Sequence, residues 1–300
     1  MIKDAPTPVN GRAEVRAETR PDTRVDAYSP KEIAERAVQM GVRKANLGAL
    51  PMFVQAIMAG GFISVGALFA TITGAGASGI LSYGVTRLLV GFVFSLGLIL
   101  IVLGGAELFT GNNLIMIAWA SGKVKLRAVI RNWIIVYAGN MVGSLITALL
   151  VFVSQEHTFG GGAVGQAALS IAAHKAEIDF LPALALGILC NALVCMAVWL
   201  TLGARTATDK ILVIIFPITA FVAASFEHSV ANMYFMPIGL LIKTFDPAFV
   251  TNFAANISLD GLTLMSFVNN LIPVTIGNII GGVVMVGALY WFVYLRDNHL

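Results

Sequence analysis

Six long apolar runs constrain this chain more than any other feature of its sequence. They lie at about 47–72, 86–119, 129–153, 181–203, 211–243 and 266–295. Each run is close to or longer than the roughly 20 residues that an α-helix needs to cross the hydrocarbon core of a bilayer. The chain is 58% hydrophobic and only 12% charged, which is about half the charged fraction of an ordinary soluble domain. The pattern predicts an all-α membrane protein with six transmembrane helices.

The second and fifth runs are too long for one straight helix, and polar residues interrupt both, at 107–113 and 226–232. Glu107 and Glu227 are the only carboxylates in the six runs, and His228 is the only histidine. A charged side chain at mid-bilayer costs roughly 2.5–3.5 kcal/mol, so such residues usually face a cavity, a partner or a pathway. Two interpretations are open. The polar residues either tie helices together or line a solute pathway between two broken helices.

The two halves of the chain carry matching features. The broken second run is followed by Gly-Asn-Met-Val-Gly at 139–143, and the broken fifth run by Gly-Asn-Ile-Ile-Gly at 277–281. Because each half crosses the membrane three times, the second copy must be inverted relative to the first. Gly-x-x-x-Gly spacing alone also serves close helix packing, but inverted repeats with matching broken helices indicate a solute site near the midplane.

The chain preceding the first run divides into two predicted parts. Residues 1–28 are polar and are expected to form a mobile tail, and residues 29–46 are expected to form an amphipathic cytoplasmic helix. Ser29 and Glu32 have the spacing of a capping box at the start of that helix. The six-helix pore domain is then assigned to residues 47–298.

Basic residues in the short connections predict the orientation, because Lys and Arg are enriched in cytoplasmic loops. Most of them follow runs two, four and six, on the same side as the basic N-terminal tail. They are Lys123, Lys125, Arg127, Arg131, Arg205, Lys210 and Arg296. Both termini of this multi-pass protein are therefore predicted to be cytoplasmic.

Other functional classes have little support in the sequence. Basic and acidic residues alternate in the tail without an aromatic platform, so nucleic-acid binding is not expected. Cys190 and Cys195 lie in one apolar run without a neighbouring His or Cys, and neither a metal site nor a disulfide is predicted from them. The sequence shows no cofactor motif and no nucleophile–base pair, so we expect neither a cofactor nor enzymatic activity.

The polar interruptions suit a small anion. The starts of the two half-helices direct partial positive charge and N–H groups inward. Further hydrogen-bond donors are available on side chains within the two breaks. They are Thr110, Asn112, Asn113, Ser229 and Asn232. His228 adds a charge that can change near neutral pH, while Glu227 could instead only anchor backbone amides of the break.

Three motifs resemble those of the formate/nitrite transporter family. Ala-Glu-Leu-Phe-Thr at 106–110 and Phe-Glu-His-Ser-Val-Ala-Asn-Met at 226–233 are similar to its two signature breaks. Asn-Asn-Leu-Ile-Pro-Val-Thr-Ile-Gly-Asn at 269–278 is similar to its formate-channel branch. The resemblance covers about residues 30–298.

The resemblance implies a homopentamer of aquaporin-like protomers, each with its own pore for formate or similar small anions. His228 would be the pore histidine and Thr110 the polar residue of the broken second helix. The apolar constrictions would be Phe94, Leu98, Leu108 and Phe221. The other polar residues of the pore or its vestibules would be Asn191, Lys175 and Asn278. The chemistry of the breaks separately assigns Glu227 and Asn232 to the pathway.

The expected function is the movement of formate, with or without a proton, across the membrane. A nitrite or hydrosulfide pathway of the same family would use the same break chemistry. A neutral-solute channel of aquaporin type would share the fold. Its flux would carry no current and would not depend on pH.

Overall fold

The computed structural model describes residues 26–77 and 79–296, and within these ranges the chain forms helices and no strand. Residues 1–25 of the tail that we expect to be mobile lie outside this part. Five helices of 22 to 31 residues are long and apolar enough to cross a membrane. They are α2 (Ala49–Gly74), α3 (Tyr83–Gly104), α6 (Leu126–Val153), α8 (Phe180–Gly203) and the final helix Leu264–Tyr294.

The predicted break of the second crossing is confirmed. Helix α3 ends at Gly105, which has a left-handed backbone with φ of 78°. The chain then continues extended to Leu108 and re-enters helical structure at Phe109. Three short segments complete the crossing. They are α4 (Phe109–Asn112), a 3₁₀ turn (Asn113–Ile115) and α5 (Met116–Ala120).

The fifth crossing is broken in the same way. Helix α9 (Ala207–Ala223) and helix α10 (Ser229–Phe245) have 17 residues each and are separated by five residues that include Glu227 and His228. Ser225 has a positive φ of 58° there, at the position that corresponds to Gly105 in the first break. Beyond α10 the chain bends by 98° into α11 (Pro247–Phe253).

The packing follows the predicted inverted repeat. In the first half α2 packs against α3 and α6, and in the second half α8 packs against α9 and the final helix, whose first part is α12 (Leu264–Ile280). The final helix continues as a π-helical segment (Gly281–Ala288) and α13 (Leu289–Tyr294). Helices α3 and α9 pack against each other and thus join the two halves next to their breaks.

One further helix precedes the first long helix of each half. Helix α1 (Pro30–Ala45) begins with the capping box of Ser29 and Glu32, and it packs against α5 and α8. Its counterpart α7 (Ala163–Ala176) lies between the third and fourth apolar runs, where no helix was predicted. Each of these helices carries a lysine as its second-last residue, Lys44 in α1 and Lys175 in α7.

Glycines allow the helices of each half to approach closely. A Cβ atom built on Gly143 of α6 would lie 2.0 Å from the Ile57 carbonyl oxygen, and one on Gly281 would lie 2.2 Å from the Ile188 carbonyl oxygen. Because the opposing atoms belong to helical backbone, they cannot move aside as a flexible side chain can. The paired Gly-Asn motifs therefore bring α6 against α2 and the final helix against α8.

We expect Gly143→Val to destabilise the protein at or above the upper end of the roughly 1–3 kcal/mol that overpacking usually costs. The added side chain must separate α2 from α6. Gly84→Val is the matched control, because a Cβ on Gly84 meets no atom within 4 Å. Thermal unfolding of the purified proteins in detergent measures the difference, and equal melting temperatures for the two variants would contradict the close approach.

Candidate functional site

An asparagine from the third helix of each half holds the backbone of that half's break. Asn140 Oδ1 accepts the Phe109 N–H at 2.9 Å, and its Nδ2 donates to the carbonyls of Ala56 (2.8 Å) and Glu107 (2.9 Å). An unsatisfied backbone group in a membrane interior costs several kcal/mol. One buried amide side chain thus satisfies backbone groups on both sides of Leu108.

The second break repeats this arrangement with Asn278. Its Oδ1 accepts the Ser229 N–H at 2.9 Å, and its Nδ2 donates to the carbonyls of Gly187 (2.9 Å) and Glu227 (3.0 Å). Asn278 therefore holds the backbone of the second break in place. It lines neither of the two cavities described below.

A lysine, a glutamate and two asparagines form a network at the first break. Lys44 Nζ lies 2.5 Å from Glu107 Oε1, and Asn112 Nδ2 donates to Glu107 Oε2 at 2.7 Å. Asn112 Nδ2 also donates to Asn132 Oδ1 at 2.9 Å, while Asn132 Nδ2 donates to the Lys44 carbonyl at 3.1 Å. The buried carboxylate is neutralised by a cation from α1 and accepts a hydrogen bond from Asn112, which Asn132 in turn positions.

The same network occurs at the second break. Lys175 Nζ lies 2.6 Å from Glu227 Oε1, and Asn232 Nδ2 donates to Glu227 Oε2 at 2.6 Å. Asn232 Nδ2 also donates to Asn270 Oδ1 at 2.7 Å, and Asn270 Nδ2 donates to the Lys175 carbonyl at 3.0 Å. The correspondence of eight side chains in two networks shows that the halves repeat each other in chemistry as well as in helix order.

The sequence analysis missed part of these networks. It did not assign Lys44, Asn132 or Asn270 to the site, and it treated the amides of Asn112 and Asn232 as donors for a solute rather than for Glu107 and Glu227. The position of Lys44 in the last turn of α1, equivalent to Lys175 in α7, is the feature that could have identified it.

Asn191 also binds backbone carbonyls close to the breaks. Its Nδ2 donates to the carbonyls of Thr110 (3.2 Å) and Asn278 (2.6 Å) and to Asn113 Oδ1 (2.7 Å). Asn191 is completely buried and lines neither cavity. Its contacts join the first break, through Thr110, to the helix that holds the second break.

Thr110 and His228 bring the two breaks into direct contact. Thr110 Oγ1 lies 2.9 Å from His228 Nε2, and both side chains are buried. The Ala231 N–H donates to His228 Nδ1 at 3.0 Å, so Nδ1 is the unprotonated nitrogen. Nε2 therefore carries the proton and donates it to the threonine hydroxyl. The arrangement selects one neutral tautomer of the imidazole.

Two cavities approach this hydrogen bond from opposite ends of the protein. The α7-side cavity, of about 280 Å³, is lined among others by Phe94, Lys175, Phe221 and His228. The α1-side cavity, of about 660 Å³, is lined among others by residues from α1, α3 and the first break. They include Arg36, Arg43, Lys44, Leu98, Glu107, Leu108 and Lys210.

Four buried apolar side chains line the two cavities. Phe94 and Phe221 line the α7-side cavity and meet edge to face with ring centroids 5.6 Å apart. Leu98 and Leu108 line the α1-side cavity. None of these four side chains is more than 3% exposed. We call the four together the apolar ring. The Phe221 ring also stacks on His228, at a centroid distance of 6.0 Å.

Comparison with known proteins agrees with this geometry. The family model described as formate/nitrite transporter matches residues 31–292. The chain belongs to the formate/nitrite transporter family. Among members of the family, the formate channel FocA of Escherichia coli K12 is 44% identical over 280 residues, which cover 92% of this chain and 98% of that protein. The probable formate transporter of Methanothermobacter thermautotrophicus is 35% identical over 90% of this chain and 98% of that protein.

Solved structures of the family have the same fold. A structure described as a pentameric formate channel with formate bound is 45% identical and superimposes with a TM-score of 0.76, covering 83% of this chain and 98% of that chain. A second structure, described as an FNT family ion channel, is 28% identical. It superimposes with a TM-score of 0.72 and covers 87% of this chain and 98% of that chain. These likenesses confirm the predicted family and the six-helix fold with its two broken crossings.

Among the described residues, no group of three or more His, Cys, Asp or Glu side chains is placed to hold a metal ion. Cys190 and Cys195 are free, buried thiols, and Cys195 Sγ lies 3.3 Å from the Thr110 carbonyl oxygen.

Proposed function

We propose that this protein is a formate channel of the bacterial inner membrane, assembled as a homopentamer with one pathway through each protomer. The named formate channels among its relatives support the substrate, and the pentameric relative supports the assembly. The observation that carries the proposal is the position of Thr110 and His228, which lie hydrogen-bonded between two cavities that end on opposite sides of an apolar ring.

The ring and the polar pair act in sequence on the solute. An anion entering either cavity is attracted by Lys44 or Lys175, which lie at the inner ends of the two cavities. It loses water at the apolar ring, where only a small solute fits. The Thr110 hydroxyl oxygen accepts a hydrogen bond from the protonated Nε2 of His228. The hydroxyl hydrogen is therefore available for donation to a carboxylate oxygen.

Formate crosses either as the anion or as formic acid after taking a proton from His228. Proton release from Nε2 requires that Nδ1 first take up a proton, because the ring otherwise becomes an anion. Uptake at Nδ1 breaks the hydrogen bond from the Ala231 N–H. A proton-linked cycle therefore loosens the N-terminus of α10, and an anion channel leaves it intact.

In the membrane, the α1-side cavity faces the cytoplasm and the α7-side cavity faces the periplasm. The basic connections support this orientation, since Lys123, Lys125 and Arg127 lie on the same end of the protein as α1. Both termini are then cytoplasmic.

The substrate is tested by flux into liposomes that contain the purified protein, with formate, nitrite, hydrosulfide and glycerol compared between pH 5 and 8. We expect formate flux well above that of protein-free liposomes and above glycerol flux. Glycerol flux that exceeds formate flux and does not depend on pH would support a neutral-solute channel. Faster nitrite or hydrosulfide flux would assign the chain to another branch of the family.

The variant His228→Asn is expected to flatten the pH dependence of formate flux without preventing assembly. Asparagine can still accept the Ala231 N–H as an N-cap residue, but its side chain does not titrate near neutral pH. Thr110→Ala is the matched control, since it lowers flux at all pH values and retains the histidine. An unchanged pH profile in His228→Asn would exclude the proposed role of the histidine.

A further inference from the structure

The two cavities differ in their charge. The α7-side cavity contains Arg87 and Lys175, and both are engaged. Arg87 donates to the carbonyls of Val222 and Ala223 and to Ser225 Oγ, and Lys175 is paired with Glu227. Its cations are thus used to cap the C-terminus of α9 and to neutralise a carboxylate.

The α1-side cavity holds cations in excess. Arg36, Arg43, Lys44 and Lys210 line it, and Glu107 is the one carboxylate among its lining residues. Glu107 is already paired with Lys44. Within the described part of the chain, Arg36, Arg43 and Lys210 have no hydrogen bond or ion pair to a carboxylate. The Nε atom of Arg36 is buried and has no hydrogen-bond partner among the described residues, and its guanidinium lies 4.1 Å from the Tyr28 ring centroid.

The excess cations come from two helices that face the cavity together. Arg36 and Arg43 are seven residues apart on α1, which places them on one face about 10 Å apart along the helix axis. Lys210 belongs to the first turn of α9. Among the described residues Lys210 makes no ion pair with its neighbour Asp209, whose carboxylate accepts the Thr206 N–H at 2.9 Å and the Arg205 N–H at 3.3 Å.

These cations exceed what attraction of a one-carbon anion requires. The opposite cavity serves the same solute with a smaller volume and no unengaged arginine. A cavity of about 660 Å³ also lies within the range of roughly 300–1,000 Å³ of small-molecule sites. Arginine guanidinium groups match phosphate oxygens in pairs of parallel hydrogen bonds. The charge, size and residue types fit a multivalent phosphate-bearing anion.

We propose that the α1-side cavity binds a small anion with two or more phosphate groups through Arg36, Arg43 and Lys210, and that the bound anion blocks the channel. The block rests on the proposed formate pathway, since the ligand covers the approach to Leu98 and Leu108 and is too large to pass the apolar ring. A cell with abundant phosphorylated metabolites would thereby limit formate flux from the cytoplasmic side.

Binding is tested by titration calorimetry of the full-length protein in detergent with inorganic pyrophosphate at low ionic strength. We expect the Kd of the double variant Arg36→Gln/Arg43→Gln to rise by about tenfold or more, as two charge-assisted contacts are lost. The matched control Lys123→Gln/Arg127→Gln removes two exposed cations from the same end of the protein, and its Kd should stay close to that of the wild type. Equal weakening in both double variants, or no binding by the wild type, would overturn the site.

The block is tested by labelled-formate flux into liposomes. Where the protein inserts in both orientations, pyrophosphate in the outer solution alone should stop about half of the flux, and pyrophosphate on both sides should stop nearly all of it. Arg36→Gln/Arg43→Gln should be resistant. Flux that is unaffected at saturating pyrophosphate would overturn the block. An absence of formate flux before pyrophosphate is added would contradict the proposed function instead, and calorimetry would still decide the binding site.

Discussion

Asn278→Leu is expected to lose about 3–9 kcal/mol of stability, since three backbone groups, two in the second break and one at Gly187 of α8, lose a buried hydrogen bond at about 1–3 kcal/mol each. Interhelical hydrogen bonds between side chains in membranes average only about 0.6 kcal/mol, because the unfolded helices find other partners. The Ser229 N–H and the Glu227 carbonyl have no such alternative, since they belong to a break that cannot complete a helix. The larger value therefore applies here.

Thermal unfolding in detergent, followed by size-exclusion chromatography, measures this loss. Asn269→Leu is the matched control, because Asn269 precedes Asn270 on the same helix and is exposed. Asn140→Leu should lose a similar amount, as Asn140 makes the equivalent three bonds in the first break. If Asn278→Leu unfolded at the same temperature as Asn269→Leu, the asparagine would not be what holds the break.

Lys175→Met is expected to destabilise the protein by about 3–5 kcal/mol, the usual effect of stranding one charge of a buried pair. Glu227 is 4% exposed and would keep only the hydrogen bond from Asn232. The double variant Lys175→Met/Glu227→Gln should recover most of the loss, because no charge is then buried alone. Its formate flux should stay low, since the cavity loses Lys175 and keeps Arg87, which is bonded to the end of α9 and to Ser225.

Melting temperature and formate flux, measured on the wild type, Lys175→Met, Glu227→Gln and the double variant, separate these effects. The non-additivity of the two substitutions gives the coupling between Lys175 and Glu227. If the double variant were as unstable as the sum of the single variants, the pair would not act as a unit. If its flux equalled that of the wild type, Lys175 would serve the fold alone.

Much of the fold could be predicted because the relevant information is local in the sequence. Run length gives the crossings, and a carboxylate within an apolar run gives a break. The repeated Gly-Asn motif relates the two halves, and its glycines proved to be sites of close helix approach. The break residues already include Thr110 and His228, and the family resemblance added their roles in the pore; the structure brings the two within 2.9 Å of each other.

The remaining features depend on contacts distant in sequence. Lys44 lies 63 residues before its partner Glu107, and nothing in the composition of α1 distinguishes it from Arg43. Asn191 and Asn278 are polar residues in apolar runs, and the same pattern describes a pathway residue and a residue that binds backbone. Only the three-dimensional arrangement shows that both side chains bind backbone groups near the breaks and line neither cavity. The π-helical segment at Gly281–Ala288 has no sequence pattern that would separate it from an α-helix.

The most direct test of the central claim is the ratio of propionate to formate flux in wild-type and Phe221→Ala liposomes. A ratio is independent of how much protein assembles. If the apolar ring between the two breaks is the passage, removing the Phe221 ring should raise the ratio by about tenfold or more, the typical effect of space in an apolar site on discrimination by size. An unchanged ratio in a correctly assembled variant would show that the solute does not pass between Thr110, His228 and the ring.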